Sequence, residues 1–256
     1  MSLSVWAELA GTTFVAALLY TISGFGFAIL AVPLYLLLIE PRQAVQLAII
    51  LSTALSLAVV PGLRRTVSLP LLLRLSLGSL LGLPLGLFSF RYADPLVVRL
   101  GVGATILTFA VLLAVFRSRG DRIWTPFGQT PNRDLAAGAV AGIATALVGM
   151  AGPPVLIYLL LAGTAGQTVR ATLLAFFALS YGITVASHAG TIGISSSTWA
   201  AAAILAPFAL LAGLVGRPLG DRLGANGFAL LAIALLAFAG FYTVIAAGVG
   251  FAARHS

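Results

Sequence analysis

The sequence predicts an all-α polytopic membrane protein made of two inverted repeats, each a broken, re-entrant helix hairpin plus three transmembrane helices. Three observations predict it. The 256 residues are 61% hydrophobic and only 8% charged, about a third of the charge that a soluble domain carries on its surface. Apolar segments recur along the whole chain. A short apolar stretch opened by glycine also occurs twice, as Gly26-Phe-Ala-Ile-Leu-Ala-Val-Pro-Leu-Tyr-Leu-Leu-Leu38 and as Gly149-Met-Ala-Gly-Pro-Pro-Val-Leu-Ile-Tyr-Leu-Leu-Leu161. With so few charges no solvated surface can be built, so lipid is the expected solvent.

Ten apolar segments follow in order. Leu9 to Ile22 ends at a break, Ser23-Gly24-Phe25-Gly26, and Ala28 to Ile39 follows it. That second piece is 12 residues, roughly 18 Å of helix against a hydrocarbon core of about 30 Å, too short to cross alone. Gln43 to Val60, Leu71 to Phe90 and Leu96 to Phe116 complete the first half. Arg117 to Arg133 is the one sizeable polar loop, punctuated by Pro126, Gly128 and Pro131. The pattern then restarts with Leu135 to Val148, a break at Gly149 to Gly152, and the short Pro153 to Leu161. Thr168 to Ala189, Trp199 to Val215 and Asn226 to Ala247 close the chain. The division is residues 1–116 as the first repeat, 117–133 as a cytoplasmic linker and 134–256 as the second repeat, all in one integrated transport domain.

The halves match beyond the duplicated stretch. Gly26 aligns with Gly149, Val32 with Val155, Tyr35 with Tyr158, Arg42 with Arg170, Ser52 with Ser180 and Ser56 with Thr184; Gly82 pairs with Gly213 and Arg91 with Arg222. If each broken pair enters and leaves on one side, each half makes an odd number of net crossings and the halves must be inverted. Arginine placement tests this. With the central loop in the cytoplasm, Arg64, Arg65, Arg74, Arg117, Arg119, Arg122, Arg133, Arg170, Arg217 and Arg222 fall inside. Arg42, Arg91, Arg99 and Arg254 fall outside. Both termini are then expected on the outer face. Met1 to Glu8 has no basic n-region, so no signal peptide is expected.

Composition excludes several chemistries. The chain has no cysteine, so disulfides and thiolate metal sites are ruled out. His188 and His255 are too few and too far apart for a metal cluster, and no metal or other cofactor is expected. The net charge of +8 belongs to positive-inside loops, not to nucleic-acid binding. Glu8, Glu40, Asp94, Asp121, Asp134 and Asp221 all lie near expected helix ends, leaving no mid-span carboxylate to serve as a proton or sodium relay.

Candidate site residues gather at the breaks. Non-helical backbone at membrane depth is tolerated where it lines a cavity or is buried in protein. A helix starting there offers unbonded N–H groups and a positive dipole end to an anion, and the Pro153-Pro154 pair fits a first helical turn. Paired short, interrupted segments in matching halves are the pointer to a transporter binding site, although glycines also permit close helix packing. Gly24, Phe25, Gly26, Gly149, Met150, Gly152 and Pro153 are therefore the expected substrate-binding breaks. Gln46, Ser52 and Ser56 on one span, and Ser180, Tyr181 and Thr184 on its partner, form polar stripes that either wall a cavity or join helices. Arg170 opens its span, as a recruiter of anions or an interfacial anchor. Arg42, beside Glu40, reads as an anchor. His188 is the only titrating side chain expected within a span, packed or proton-linked.

Gly24-Phe-Gly-Phe-Ala-Ile-Leu-Ala-Val-Pro33 and Gly149-Met-Ala-Gly-Pro-Pro154 resemble the two glycine/proline signatures of the sulfite exporter TauE/SafE family, also called toluene sulfonate uptake permeases. The first copy departs from the usual pattern in carrying Phe25 and Phe27 where a glycine run is common. The resemblance spans nearly the whole chain. It implies a bacterial inner-membrane transporter of small anions, often sulfur oxyanions or organosulfonates, with an anion site at Gly24, Gly26, Gly149, Gly152 and Pro153. Phe25, Phe27, Tyr35, Phe176, Phe177 and Tyr181 are expected either to line an organic tail or simply to pack between helices. The expected partners are a small anionic substrate and membrane lipid. A passive anion channel is the alternative. An intramembrane enzyme would need Ser180 or Ser187 to pair with His188.

Overall fold

A computed structural model describes residues 2–24, 26–61, 66–119, 128–162 and 167–220. These residues form helices only: α1 (Leu3–Ser23), α2 (Phe27–Leu38), α3 (Pro41–Val59), α4 (Leu69–Tyr92), α5 (Pro95–Arg119), α6 (Pro131–Val148), α7 (Gly152–Leu161), α8 (Gln167–Thr191) and α9 (Ser196–Gly220). Five of them, α1, α3, α4, α8 and α9, are long and apolar enough to cross a membrane. The expected last span, Asn226 to Ala247, and residues 120–127 of the central loop lie outside the described residues; the two ends of that expected loop are helical, since α5 runs to Arg119 and α6 begins at Pro131.

Both breaks are present. Gly24 ends α1 at φ +80° and Gly149 ends α6 at φ +76°, the left-handed conformation that closes a helix and that glycine adopts without a Cβ clash. The conformational counterpart of Gly149 is thus Gly24, not the Gly26 that the duplicated stretch aligns with it. Gly26, at φ +103°, instead stands at the N-cap of α2. Helix α2 has 12 residues and α7 has 10, so neither reaches across a bilayer. Each folds back on the helix before it and is pinned there by a tyrosine. Tyr35 Oη lies 2.7 Å from Thr13 Oγ1 on α1, and Tyr158 Oη donates to Asp134 Oδ1 on α6 at 2.5 Å.

The ends of the bundle follow from a few polar contacts. Arg74 at the start of α4 pairs with Asp134 at the start of α6 at 3.2 Å. Ser68 N–H donates to Thr172 Oγ1 at the start of α8. At the opposite end, Gln46 Nε2 near the start of α3 donates to Gly193 O after α8, and Arg42 donates to Arg91 O near the end of α4. Tyr20 Oη meets Ser56 Oγ at 2.7 Å, placing the end of α1 beside the end of α3. Helix α1 therefore runs toward the Arg74 end, whereas α6 starts there and runs away.

Helices α4 and α6 make the most extensive contact in the protein. Gly78, Gly82 and Gly86, four residues apart, face Gly138 and Gly142, also four apart. A Cβ on Gly78, Gly82, Gly138 or Gly142 would overlap the backbone of the facing helix. Backbone-to-backbone approach through small residues is how helices gain contact where lipid removes the hydrophobic drive.

The two pins differ in cost. Thr13 spends its own proton on Leu9 O at 2.6 Å, so the Tyr35 hydroxyl donates a neutral hydrogen bond. Tyr158 donates to a carboxylate that is 1% exposed and whose ion-pair partner Arg74 is 40% exposed. Tyr35→Phe should cost about 1 kcal/mol and Tyr158→Phe about 2 kcal/mol, because hydrogen bonds to charged groups are the stronger class. Thermal unfolding in detergent checks the order; equal losses would contradict the assignment.

Candidate functional site

The start of α2 approaches the second break. An ideal Cβ on Gly152, the first residue of α7, would stand 3.9 Å from Ile29 Cδ1 in the first turn of α2 and 3.7 Å from Phe177 Cζ of α8. One on Gly149 would stand 3.5 Å from Val32 and Val45 and 3.6 Å from Ile49. Thus α2 rises past the second break, and the beginnings of the two short helices overlap. Phe27, Met150 and Gly152 to Pro153 are buried, and nothing lies within 4 Å of a Cβ built on Gly26. Phe25 lies outside the described residues.

Helix α8 serves both breaks. Its Arg170 reaches the first one: Nη2 donates to Thr21 O at 3.1 Å and Ile22 O at 3.2 Å. Those carbonyls lie in the last turn of α1, where no intrahelical donor follows. The same side chain fills the space beside Gly24, with Nε 2.9 Å from where a Cβ would stand. About three turns further along α8, roughly 16 Å, Tyr181 reaches the second break. Ala151 N–H donates to Tyr181 Oη at 3.3 Å, so the phenol's own hydrogen is left to donate elsewhere.

Ser52 on α3 stands beside that phenol. It is 0% exposed, and its Oγ closes no hydrogen bond of good geometry. A buried hydroxyl without a partner costs free energy, and here it stands where α7 begins. The arrangement offers neutral donors to an acceptor: the Tyr181 and Ser52 hydroxyls and the first N–H groups of α2. Helix α7 offers fewer, because Pro153 and Pro154 have no N–H.

Other expected residues are placed differently. Gln46 is used at the turn after α8 and is not brought to the breaks. Ser180 Oγ pairs with Ser79 Oγ of α4 at 3.0 Å, Ser56 with Tyr20, and Thr184 bonds back to Ser180 O. Within the two polar stripes, Ser52 and Tyr181 face a break, while Ser56, Ser180 and Thr184 join helices or bond their own. Arg42 does not mirror Arg170, since it donates to Arg91 O, far from a break. His188 is 0% exposed and packs on Phe90 at 4.7 Å between rings. Its Nε2 donates to Ala146 O in the last turn of α6 at 3.1 Å, leaving Nδ1 as a bare, unpartnered acceptor. Neither ring nitrogen meets Ser180, whose hydroxyl is bonded to Ser79. Two groups escaped the sequence reading. Asp134 is buried in a cluster with Arg74 and Tyr158 rather than left at an interface. The Ala151 amide carries no side-chain signal at all.

The model of the family described as sulfite exporter TauE/SafE matches residues 9–243, almost the whole chain. The chain belongs to the TauE/SafE family. It is accordingly a membrane transporter of that family, with several apolar helices. No curated protein and no solved structure matches it. The family match extends over both breaks and past the described residues into the expected last span.

Proposed function

We propose that this TauE/SafE-family protein is a secondary transporter that moves a small sulfur-containing anion, an organosulfonate, sulfite or similar oxyanion, across the bacterial inner membrane by alternating access. The anion is held between the first turns of α2 and α7, with Ser52 and Tyr181 donating hydrogen bonds and Arg170 supplying charge at the first break. The observation that carries this reading is the meeting of two short helix starts, Gly152 against Ile29, beside the fully buried Ser52 hydroxyl and the Tyr181 phenol next to it. Neutral donors and dipole ends suit a sulfonate, which needs no proton acceptor. Phe177, beside Gly152, and Phe176 and Tyr181 around it suit its apolar substituent.

The opposite senses of α1 and α6 support two inverted repeats. Each repeat holds a re-entrant hairpin tied by its tyrosine, so one hairpin opens toward each face and alternation becomes a rocking of one repeat on the other. Arg74, Arg133 and Arg170 stand at helix starts of the Arg74 end, Arg42 and Arg91 at the opposite end. This favours the Arg74 end as cytoplasmic and both termini as periplasmic.

Proteoliposome flux of sulfite and methanesulfonate tests the reading. Gly152→Leu, which fills the space toward Phe177 and Ile29, should abolish flux of both without unfolding the protein. Unchanged flux would refute the site. Accumulation against a gradient is expected; strictly downhill flux would assign a passive channel.

Ser52→Ala separates binding from folding. Removing a buried hydroxyl that closes no hydrogen bond of good geometry should change stability little, while substrate affinity falls about 5- to 10-fold, one neutral hydrogen bond. Thermal unfolding together with ligand-induced stabilisation reads both effects. Lost stability with unchanged affinity would make Ser52 structural.

A further inference from the structure

We infer that one anionic phospholipid seats on this protein, with an acyl chain in the groove between α6 and α7 and its phosphate against Arg133. The groove has a volume of about 560 Å³. Its walls are Ala136, Ala137 and Val140 on α6 and Pro154, Ile157 and Leu161 on α7. With Arg133 on the first helix and Tyr158 on the second, each wall recurs at three-, four- and seven-residue spacing. That spacing is one face of a helix over two turns, roughly 10 Å long. The two alanines supply the depth, since a methyl leaves the space that a longer side chain would fill. Tyr158 spends its hydroxyl on Asp134, so its side of the groove stays apolar.

Apolarity alone selects no lipid species, because bulk lipid is as apolar as the groove. The end of the groove makes the selection. Among the described residues that line it, Arg133 alone is charged, and it is exposed in the first turn of α6. Helix α7 starts in the interior at Gly152 and returns toward that end, so the groove runs from membrane depth to the boundary where lipid phosphates lie. The neighbouring carboxylate, Asp134, is buried and held by Arg74 and Tyr158. The Arg133 guanidinium also reaches Gly128 O at 3.4 Å, and its planar fork matches phosphate oxygens. A basic residue closing a pocket between spans is the arrangement that binds anionic headgroups. The rival occupant is the chain's own expected last span. Asn226 to Ala247 contains no acidic residue and offers Arg133 no opposite charge, whereas a phosphodiester does. The lipid seat depends neither on the proposed anion site nor on which end is cytoplasmic, since both leaflets present phosphates at their boundary.

Native mass spectrometry of the full-length protein in detergent, titrated with dioleoyl phosphatidylglycerol or dioleoyl phosphatidylcholine, reads the first bound lipid. The two have the same chains and differ in net charge. The expected result is binding of phosphatidylglycerol about fivefold tighter than phosphatidylcholine, the worth of one arginine beside an anionic headgroup. Arg133→Gln should erase this preference, and Arg42→Gln, at the opposite end of the bundle, should keep it. The preference is a ratio, so a loss of folded protein does not imitate its disappearance. Val140→Trp, which fills the groove, should weaken both lipids, and glycerol phosphate, a headgroup without chains, should displace neither. Equal binding of the two lipids, a preference that survives Arg133→Gln or is lost equally in Arg42→Gln, displacement by glycerol phosphate, or wild-type binding by Val140→Trp each overturns the inference. So does a disulfide that forms readily between Val140→Cys and single cysteines placed through residues 226–247 of this otherwise cysteine-free chain, because the last span would then occupy the groove.

Discussion

Gly142→Leu is expected to prevent α4 and α6 from packing and to lower stability by about 3 kcal/mol or more. Ser79 of α4 puts its backbone carbonyl where even the first side-chain atom of a larger residue would stand. Backbone of a hydrogen-bonded helix cannot yield as a flexible side chain can, so the helices must separate along the whole seam from Gly78 to Gly86. Separation would also displace Ser79 from Ser180 and Arg74 from Asp134. Gly142→Ala should already be harmful, because its Cβ is the clashing atom. Gly11→Ala, whose Cβ would meet nothing within 4 Å, should gain slightly from helix propensity. Thermal unfolding and monodispersity in detergent compare the three. A Gly142→Leu protein that folds with wild-type stability would show that the seam is not as close as described.

Arg170→Gln is expected to have the largest functional effect, weakening anion binding about 10- to 100-fold, the range for a hydrogen bond involving a charged group. The variant removes the full charge at the first break and uncaps Thr21 O and Ile22 O in one step. Arg170→Lys separates these roles. It keeps the charge, but a point-like ammonium replaces the planar fork that spans two carbonyls, so binding should recover only in part. Arg42→Gln is the matched control: its guanidinium holds an α4 carbonyl and should leave affinity near wild type. Substrate titration by calorimetry or ligand-dependent unfolding checks the series. Equal effects of the Arg42 and Arg170 variants would point to long-range attraction of anions rather than contact at the break.

Much of the fold was legible because lipid is a severe solvent. The start of α7 was read from Pro153, whose missing N–H costs nothing in a first turn; the same holds at Pro41, Pro70 and Pro131, where α3, α4 and α6 begin two to four residues before the expected Gln43, Leu71 and Leu135. The ends of α1 and α6 follow from Gly24 and Gly149. The matching of Tyr35 with Tyr158 stood in the sequence, but that each pins a short helix to the long one before it came from the structure, where Tyr35 is spent on Thr13 rather than on an organic tail. In the sequence Gly82 stood out only as the match of Gly213; the seam it forms with Gly78 and Gly86 needs a partner stripe more than fifty residues away, which spacing does not name.

The site was less legible, for a physical reason visible in its serines. Ser52 and Ser56 stand one turn apart on α3, yet one hydroxyl stands beside Tyr181 at a break and the other is spent on Tyr20. Arg42 and Arg170 occupy matching places in the two halves, yet one holds an exposed α4 carbonyl and the other fills the space under Gly24. Sequence specifies which donors exist. Which of them are consumed depends on neighbours brought from distant segments.

Composition and hydrophobic spacing by themselves determined that this chain is a bundle of apolar helices with two interrupted hairpins, because backbone hydrogen bonds must be satisfied locally wherever lipid replaces water. Only the tertiary structure decided that the hairpins meet at Gly152 and Ile29, that α8 carries Arg170 to one break and Tyr181 to the other, and that Asp134 is buried. Those contacts join residues far apart in the chain, and their pairing is set by shape and close approach, which no local pattern encodes.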